Sequence, residues 1–250
     1  MRCAVKTPKL ILFDYGNTLV YEPLFDKEAG FRAVLEHCTD NPRSVTPKDL
    51  AAIYGPALIK LMEASRAAGA DLMDMCVKRR IYEDLGLRFD LGQEALELLF
   101  WDAASAEAVP MPGIADFLRE LRRRGIPTGV VSNTNFREES MRARLALFLP
   151  EHTFAFVLCS CEYGTRKPAG DFFRLALRKA GVEPEEAWYC GDNPRCDAFG
   201  AHEAGLFPVL YDCLDLPCLY RSPADELEPD FPHLRIGSWG ELLSALDPAE

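Results

Sequence analysis

The spacing of five short apolar runs is the feature that most constrains the fold of this 250-residue chain. Runs of this length are expected for strands that are covered on both faces of a sheet. Helical patterns near residues 114–125, 172–181 and 198–205 separate the later runs. This alternation predicts an α/β fold with a Rossmann-like, doubly wound parallel sheet. The predicted strands are Lys9–Phe13, Pro127–Ser132, Phe154–Cys159, Ala187–Cys190 and Pro208–Tyr211.

The interval between the first two runs breaks this alternation. It spans about a hundred residues and shows four helix-like stretches without a convincing strand: Phe25–Cys38, Pro47–Ala68, Leu72–Leu85 and Gln93–Ala106. The simplest interpretation is an all-helical cap subdomain over residues 21–108, inserted into a core of residues 1–20 and 109–250. An insertion over a strand end is typical of a lid that excludes water and selects substrates. A helical decoration that only adds stability is the alternative.

The composition argues against a nucleic-acid partner. The chain has 28 Lys and Arg against 39 Asp and Glu, with a net charge of −11, whereas phosphate-backbone binding requires basic patches. No run reaches membrane-spanning length, and the apolar run from Leu10 is too short for a signal peptide. The nine cysteines, Cys213 and Cys218 among them, lack a good zinc-ligand spacing, so we expect reduced thiols in a cytoplasmic protein. The tail after Asp212 is expected to run over the surface and to end in a helix at Trp239–Leu246.

Four polar clusters follow the ends of predicted strands. Taken singly, each has an ordinary explanation, because an aspartate can cap a turn, a serine can cap a helix and a loop lysine can be solvated. The carboxyl ends of parallel strands meet at one edge of a sheet, where open α/β sheets bind ligands. Together the clusters therefore predict one site. They are Asp14-Tyr15-Gly16-Asn17, Ser132-Asn133, Lys167 before Pro168, and Gly191-Asp192 followed by Asp197.

In their order these clusters resemble the haloacid dehalogenase-like (HAD) hydrolase superfamily, in the branch with an inserted helical cap. The resemblance runs over nearly the whole chain and includes the stretches Ser160–Pro168 and Ala201–Leu206. It implies a hydrolase of phosphoric monoesters that acts on a small phosphorylated metabolite such as a sugar phosphate. Asp14 would attack the phosphorus and form an aspartyl-phosphate, which water then hydrolyses.

The resemblance also implies a metal site. Mg²⁺, which prefers oxygen ligands and keeps several waters, would be held by Asp14, the backbone carbonyl of Gly16 and Asp192. Asp197 would act from behind these ligands, where it would steer the site lysine or a metal-bound water.

The remaining implied roles concern the phosphate. Lys167 would pair with both the nucleophile and the phosphate. Ser132 and the backbone N–H groups after it, including that of Asn133, would cradle phosphate oxygens at a helix start. Most of the catalysis would then be electrostatic.

Gly16 departs from the pattern of the family. Phosphatases of the family usually carry an aspartate there, which protonates the leaving oxygen and then activates water. Such general acid–base help contributes about 10²–10⁴-fold to the rate, and glycine supplies neither function. One hypothesis is a phosphatase that takes its proton relay from Glu22, Asp26 or a metal-bound water.

Two other hypotheses remain open. Carbon–halogen chemistry is disfavoured by Gly191-Asp192, which haloacid dehalogenases lack, and phosphonate chemistry would need a cap lysine such as Lys60 or Lys78. A protein that binds a phosphorylated ligand or a protein partner without turnover is the third hypothesis. The cap charges Arg66, Lys78, Arg79 and Arg80 would either meet a second anionic group or form a solvated face.

Overall fold

A computed structural model describes residues 7–212, 216 and 227–247 of the chain. Its strands are β1 (Leu10–Phe13), β2 (Val20–Tyr21), β3 (Cys38–Asp40), β4 (Arg88–Phe89), β5 (Val109–Pro110), β6 (Thr128–Ser132), β7 (Phe154–Cys159), β8 (Ala187–Gly191), β9 (Phe207–Tyr211) and β10 (Leu234–Ile236). Its α-helices are α1 (Lys27–Leu35), α2 (Pro47–Ala67), α3 (Asp74–Leu85), α4 (Gln93–Ala104), α5 (Ile114–Arg123), α6 (Glu138–Phe148), α7 (Gly170–Ala180), α8 (Gly200–Glu203) and α9 (Trp239–Leu246).

Six strands form one parallel sheet in the order β10-β9-β8-β1-β6-β7. All five strands predicted from the sequence are confirmed, with ends that differ by at most one residue. β1 lies inside the sheet, where Phe13 pairs with Val130 of β6 on one side and with Cys190 of β8 on the other. The chain reverses strand order on either side of β1, so the carboxyl end of β1 opens onto the switch point where such sheets bind ligands.

Helices cover both faces of this sheet. Ile11 and Phe13 of β1 point into one buried cluster, which includes side chains of α5, α6 and α9. Leu10 and Leu12 point into a second cluster on the opposite face, which includes α7. All four of these β1 side chains are fully buried, which explains why the run shows no alternation of polar and apolar residues.

Outside the inserted segment, the sequence predicted some of the later elements correctly and missed others. The predicted final helix Trp239–Leu246 is confirmed, whereas α6 and the edge strand β10 were missed. The helix expected at 198–205 begins earlier, as a π-helical turn at Pro194–Phe199 that continues into α8. The interpretation of Cys213 and Cys218 lies outside the described residues.

The segment between β2 and β5 holds the four helices that the sequence predicts. They share a third buried cluster, in which Phe31 of α1, Tyr54 of α2 and Phe100 of α4 meet edge to face. A capping box between Thr46 and Asp49 starts α2, with Pro47 at its first turn.

The expectation of an all-helical cap is wrong in one respect. β3 and β4 form a small antiparallel ribbon inside the segment, with Cys38 opposite Phe89. Strands of two or three residues are too short to leave a periodic pattern in the sequence. β2 and β5 form a second antiparallel ribbon, in which Val20 lies opposite Pro110. This ribbon joins the start of the inserted segment to its end. The division at residues 21 and 108 stays a prediction.

None of the helices in the described ranges has the length and apolar character needed to cross a bilayer.

Candidate active site

The site is built around Asp14, which directly follows the central strand β1. Its backbone N–H donates to the carbonyl of Cys190 at 2.9 Å, and this bond extends the pairing of β1 with β8 by one residue. The carboxylate Oδ1 is buried and lies 3.0 Å from the Lys167 ammonium, but it accepts no well-aligned hydrogen bond. The end of β1 therefore places the Asp14 Oδ1 atom next to a cation, and this oxygen can still accept hydrogen bonds or bind a metal ion.

Lys167 reaches Asp14 from the loop between β7 and α7. The side chain of Asn133 fixes the backbone of this loop, since it accepts from the Lys167 N–H at 2.8 Å and donates to the Lys167 carbonyl at 2.9 Å. The ammonium is almost fully buried and donates to Asp197 Oδ1 at 2.6 Å. Burial alone would lower the pKa of Lys167, but the charges of Asp14 and Asp197 outweigh it and raise that pKa above its ordinary value. Lys167 is therefore cationic at neutral pH.

The predicted phosphate-binding residues lie beside this pair. Ser132 is the last residue of β6, is buried, and pairs in register with Cys159 of β7. It is not the N-cap of α6, a position that Arg137 occupies five residues later. Because the Asn133 side chain is engaged by the Lys167 backbone, the group that Asn133 could offer to a phosphate cradle is its backbone N–H.

Three carboxylates converge at this point. Single oxygens of Asp14, Asp192 and Asp197 lie within 4.8 Å of one another. Asn17, at a backbone φ of 52°, donates to Asp192 at 3.3 Å, and Asp197 also accepts from the Asn193 N–H at 2.9 Å. Such an all-oxygen donor set, with the Asp14 oxygen lacking a well-aligned bond, fits a hard cation such as Mg²⁺. Asp197 is committed to Lys167, so Asp14 and Asp192 are the carboxylates that suit a metal.

Gly191 explains how the carboxylates approach so closely. A Cβ at this position would lie 2.3 Å from Asp197 Cγ, a separation that real Cβ atoms do not show. The absence of a side chain at Gly191 therefore lets Asp197 fold back beneath the end of β8.

Glu22 and Asp26, the two carboxylates considered as replacements for the missing proton donor, are both bonded to groups outside this site. Glu22 is buried and accepts from Trp101 Nε1 at 2.9 Å and from Arg144 Nη2 at 2.7 Å. Burial raises the pKa of Glu22, while Arg144 opposes that shift. Asp26 caps α1 by accepting from two backbone N–H groups. The hypothesis that Glu22 or Asp26 replaces the missing aspartate therefore loses its structural support.

Within the described ranges, the space that an aspartate side chain at position 16 would enter is empty. An ideal Cβ built on Gly16 has no heavy atom within 4 Å apart from its chain neighbours. No described side chain has thus taken over the volume next to Gly16.

Lys78, one of the two cap lysines considered for phosphonate chemistry, is already engaged inside the insertion. Lys78 is buried, forms an ion pair with Asp74, and lies 3.2 Å from the centroid of the Phe100 ring. Burial lowers the pKa of Lys78, although Asp74 opposes that change. Lys60 is exposed on α2. Lys78 therefore acts as a packed, paired core residue of the insertion.

One contact between the insertion and the site, through Asp71, has no counterpart in the sequence predictions. Asp71, in the segment between α2 and α3, accepts from Ser160 Oγ at 2.6 Å and from Arg166 Nε at 3.2 Å. Ser160 Oγ in turn accepts from the Thr134 N–H at 2.9 Å. Arg66, considered for a second anionic group, lies 3.5 Å from Asp71. An aspartate in a Gly- and Ala-rich connection carries no sequence signal for such a long-range contact.

The chain is similar to known hydrolases in both sequence and fold. The profile of a family described as "Hydrolase: haloacid dehalogenase-like hydrolase" matches residues 8–205. Phosphoserine phosphatase of Thermus thermophilus is 38% identical over 137 residues, which is 54% of this chain and 50% of that protein. Ribulose-1,5-bisphosphate 5-phosphatase of Halopiger xanaduensis is 29% identical, over 81% of this chain and 84% of that protein.

A HAD phosphatase from Thermococcus onnurineus has a similar fold, with a TM-score of 0.60 at 19% identity, covering 95% of this chain and 97% of that one. The chain spans about half the length of the Thermus relative, so activity and substrate do not transfer from that protein directly.

Proposed function

This chain belongs to the haloacid dehalogenase-like hydrolase family, and we propose that it is a Mg²⁺-dependent phosphatase that hydrolyses a small phosphorylated metabolite through an aspartyl-phosphate on Asp14. One observation carries the proposal. The Asp14 carboxylate lies at the end of the central strand, 3.0 Å from a buried, cationic Lys167, with the Asp192 and Asp197 carboxylates beside it. This is the arrangement that attack by a carboxylate on an anionic phosphate requires.

In the proposed mechanism each residue has a separate task. Asp14 supplies the attacking oxygen, and Lys167 neutralises charge on the nucleophile and on the transferring phosphoryl group. Ser132 and the backbone N–H of Asn133 hold phosphate oxygens. As the aspartyl-phosphate forms, the bond between the phosphorus and the leaving oxygen breaks, and that oxygen takes its proton from water. A water molecule then attacks the phosphorus and loses a proton to solvent, the bond to Asp14 breaks, and inorganic phosphate leaves with the Asp14 carboxylate restored.

The cation has one place in this scheme. Mg²⁺ held by Asp14, Asp192 and the Gly16 carbonyl would offset the negative charge that builds up on the phosphoryl oxygens. Asp197 keeps Lys167 in place from behind.

The substrate proposal draws on the relatives. The Thermus and Halopiger proteins are named for phosphoserine and for ribulose bisphosphate, both small metabolites with polar groups besides the phosphate. A sugar phosphate or a similar metabolite is accordingly the proposed substrate. The buried thiols Cys159, Cys161 and Cys190 suit a reducing compartment, and the cytoplasm is the proposed location.

A catalytically impaired protein that binds a phosphorylated ligand or a protein partner is the second candidate. The open volume next to Gly16 favours it, since the usual proton donor is absent there. Dehalogenase and phosphonatase activities are less well supported, because Asp192 gives the site a second metal-type carboxylate and Lys78 is paired with Asp74.

A phosphate-release assay tests the proposal. The purified protein is given an activated aryl phosphate and a panel of sugar phosphates, with Mg²⁺ or with chelator, beside Asp14→Asn. Asp116→Asn, a change on the exposed surface of α5, serves as the matched control. Release that depends on Mg²⁺, survives Asp116→Asn and disappears in Asp14→Asn supports a phosphatase. Binding of the phosphorylated compounds without release favours the impaired binder, and halide release from haloacids without metal would favour dehalogenation.

A further inference from the structure

Tyr189 is the second hydrogen-bond partner of the Lys167 ammonium and has no role in the scheme above. We infer that Tyr189 is a positioning residue, which together with Asp197 aims the ammonium of Lys167 at Asp14 and at the phosphoryl group. The inference rests on the proposed function, because it assigns Tyr189 a part in the same reaction.

The hydrogen bonds of Tyr189 have a fixed direction. Its phenol oxygen lies 2.6 Å from Lys167 Nζ and 2.7 Å from the carbonyl oxygen of Val131. A carbonyl oxygen only accepts and an ammonium only donates, so the phenol must donate to Val131 and accept from Lys167. The phenol cannot turn away from Lys167 without also breaking its bond to the Val131 carbonyl.

The ammonium has three N–H groups, and side chains within the described ranges accept from two of them. One goes to Tyr189 at 2.6 Å and one to Asp197 at 2.6 Å. Asp14 Oδ1 lies 3.0 Å away without a well-aligned hydrogen bond. Two anchored N–H groups fix the direction of the third, which is left for the nucleophile or for a phosphoryl oxygen.

A phenol suits this task better than another carboxylate would. Asp14 and Asp197 already place two acidic groups against one ammonium in a buried site. A third carboxylate would add like-charge repulsion, whereas a neutral phenol anchors Lys167 without changing the charge.

Tyr189 also links Lys167 to the phosphate cradle. Val131, whose carbonyl accepts the hydrogen bond from Tyr189, directly precedes Ser132 on β6, whereas Tyr189 lies on β8. The side chain therefore bridges the two strands that flank β1, and its ring is held edge to face by Phe173 at 5.0 Å. One hydroxyl thus sets the ammonium and the end of β6 at a fixed separation.

Tyr189→Phe tests the inference, because it removes the hydroxyl and keeps the ring. The change removes the hydrogen bond from the Lys167 ammonium and the one to the Val131 carbonyl. Because the first of these has a charged donor, kcat is expected to fall about tenfold while KM changes little. Inhibition by orthovanadate, which resembles the five-coordinate transition state, should weaken by a similar factor, whereas inhibition by orthophosphate should change little. A purely structural role would leave kcat and the vanadate constant unchanged in the folded fraction.

Tyr82→Phe is the matched control. The Tyr82 hydroxyl is buried but has no hydrogen-bond partner among the described residues, so its removal deletes the same atom without breaking a bond. Tyr82→Phe should keep the parent kcat and vanadate constant. All rates are measured well below the melting temperature of each variant, so that unfolding does not contribute.

A second measurement does not depend on turnover. In ¹⁵N-detected spectra of the lysine side chains, the Lys167 ammonium signal, assigned from its loss in Lys167→Arg, should exchange slowly with water in the parent and faster in Tyr189→Phe. Equal exchange in both proteins, or an unchanged kcat in an active enzyme, would overturn the inference. A parent that releases no phosphate from any compound refutes the proposed function instead, and the exchange rates then decide alone whether Tyr189 anchors Lys167.

Discussion

Gly16→Asp would place a proton donor where phosphatases of the family usually carry one. The structure has room for the change, since a Cβ on Gly16 meets no heavy atom within 4 Å and its φ lies outside the left-handed region. The new carboxyl would stand near Asp14 and Asp192, whose charges disfavour its ionisation. It would therefore keep a proton at higher pH than an ordinary aspartate, as a general acid for the leaving oxygen must.

The expected gain depends on the leaving group. For alkyl and sugar phosphates, whose leaving oxygens need a proton, kcat/KM should rise by about 10²–10⁴-fold. For an activated aryl phosphate, which leaves as a stable anion, it should change little. The slope of log kcat/KM against the pKa of the leaving group should become flatter, and the free energy of unfolding should change by less than about 1 kcal/mol.

The assay compares the parent, Gly16→Asp and Gly16→Asn on a series of phosphate monoesters. Gly16→Asn matches the aspartate in shape but carries no acidic proton, so it should show no gain. Equal gains for the two variants would refute the reasoning, because shape rather than proton transfer would then be responsible. Unchanged rates on poor leaving groups in Gly16→Asp would show that a relay already exists elsewhere.

Three further variants test the packing of the site, a buried ion pair and a surface ion pair. Gly191→Ala would put a Cβ 2.3 Å from Asp197 Cγ, so we expect about 1–3 kcal/mol of destabilisation in urea unfolding together with loss of phosphate release. Arg144→Met would leave the buried carboxylate of Glu22 without its cation, so we expect urea unfolding to show a loss of about 3–5 kcal/mol in stability. An unchanged free energy of unfolding would contradict the ion-pair argument. Hydrogen bonds from two neighbouring arginines lower the pKa of Glu120 from 4.5 to about 2, so the stability it contributes is present above pH 4.5 and is lost as the pH falls towards 2. Glu120→Gln should therefore flatten the acid side of the plot of unfolding midpoint against pH, and an unchanged acid slope would contradict this assignment.

The strands of the sheet could be predicted from the sequence because a strand buried on both faces is a short run of apolar residues. Each of the five predicted strands is a continuous apolar run, and the structure confirms all of them to within one residue. The helices of the insertion were readable for a related reason, because long amphipathic stretches repeat with the helical period. The two-residue strand β4 and the edge strand β10 were missed, because so few residues show no period.

The candidate site was readable only in part. Asp14 and Asp192 directly follow β1 and β8, Ser132 ends β6, and Lys167 lies in the loop after β7. Parallel strands bring these ends to one edge of the sheet whatever the details of packing. The distance of 3.0 Å between Asp14 and Lys167 then required the loop conformation that the neighbouring asparagine side chain imposes on the lysine backbone.

The sequence by itself determined the order of the five predicted strands, the place of Asp14 after the first of them and the absence of a side chain at Gly16. Only the tertiary structure decided that Glu22 is buried against Arg144, that Asp71 reaches Ser160, and that Tyr189 holds Lys167. These partners are separated by 122, 89 and 22 residues in the chain. The physical reason is that periodicity reports which face of an element is buried, whereas a contact between polar side chains depends on how distant elements pack against each other.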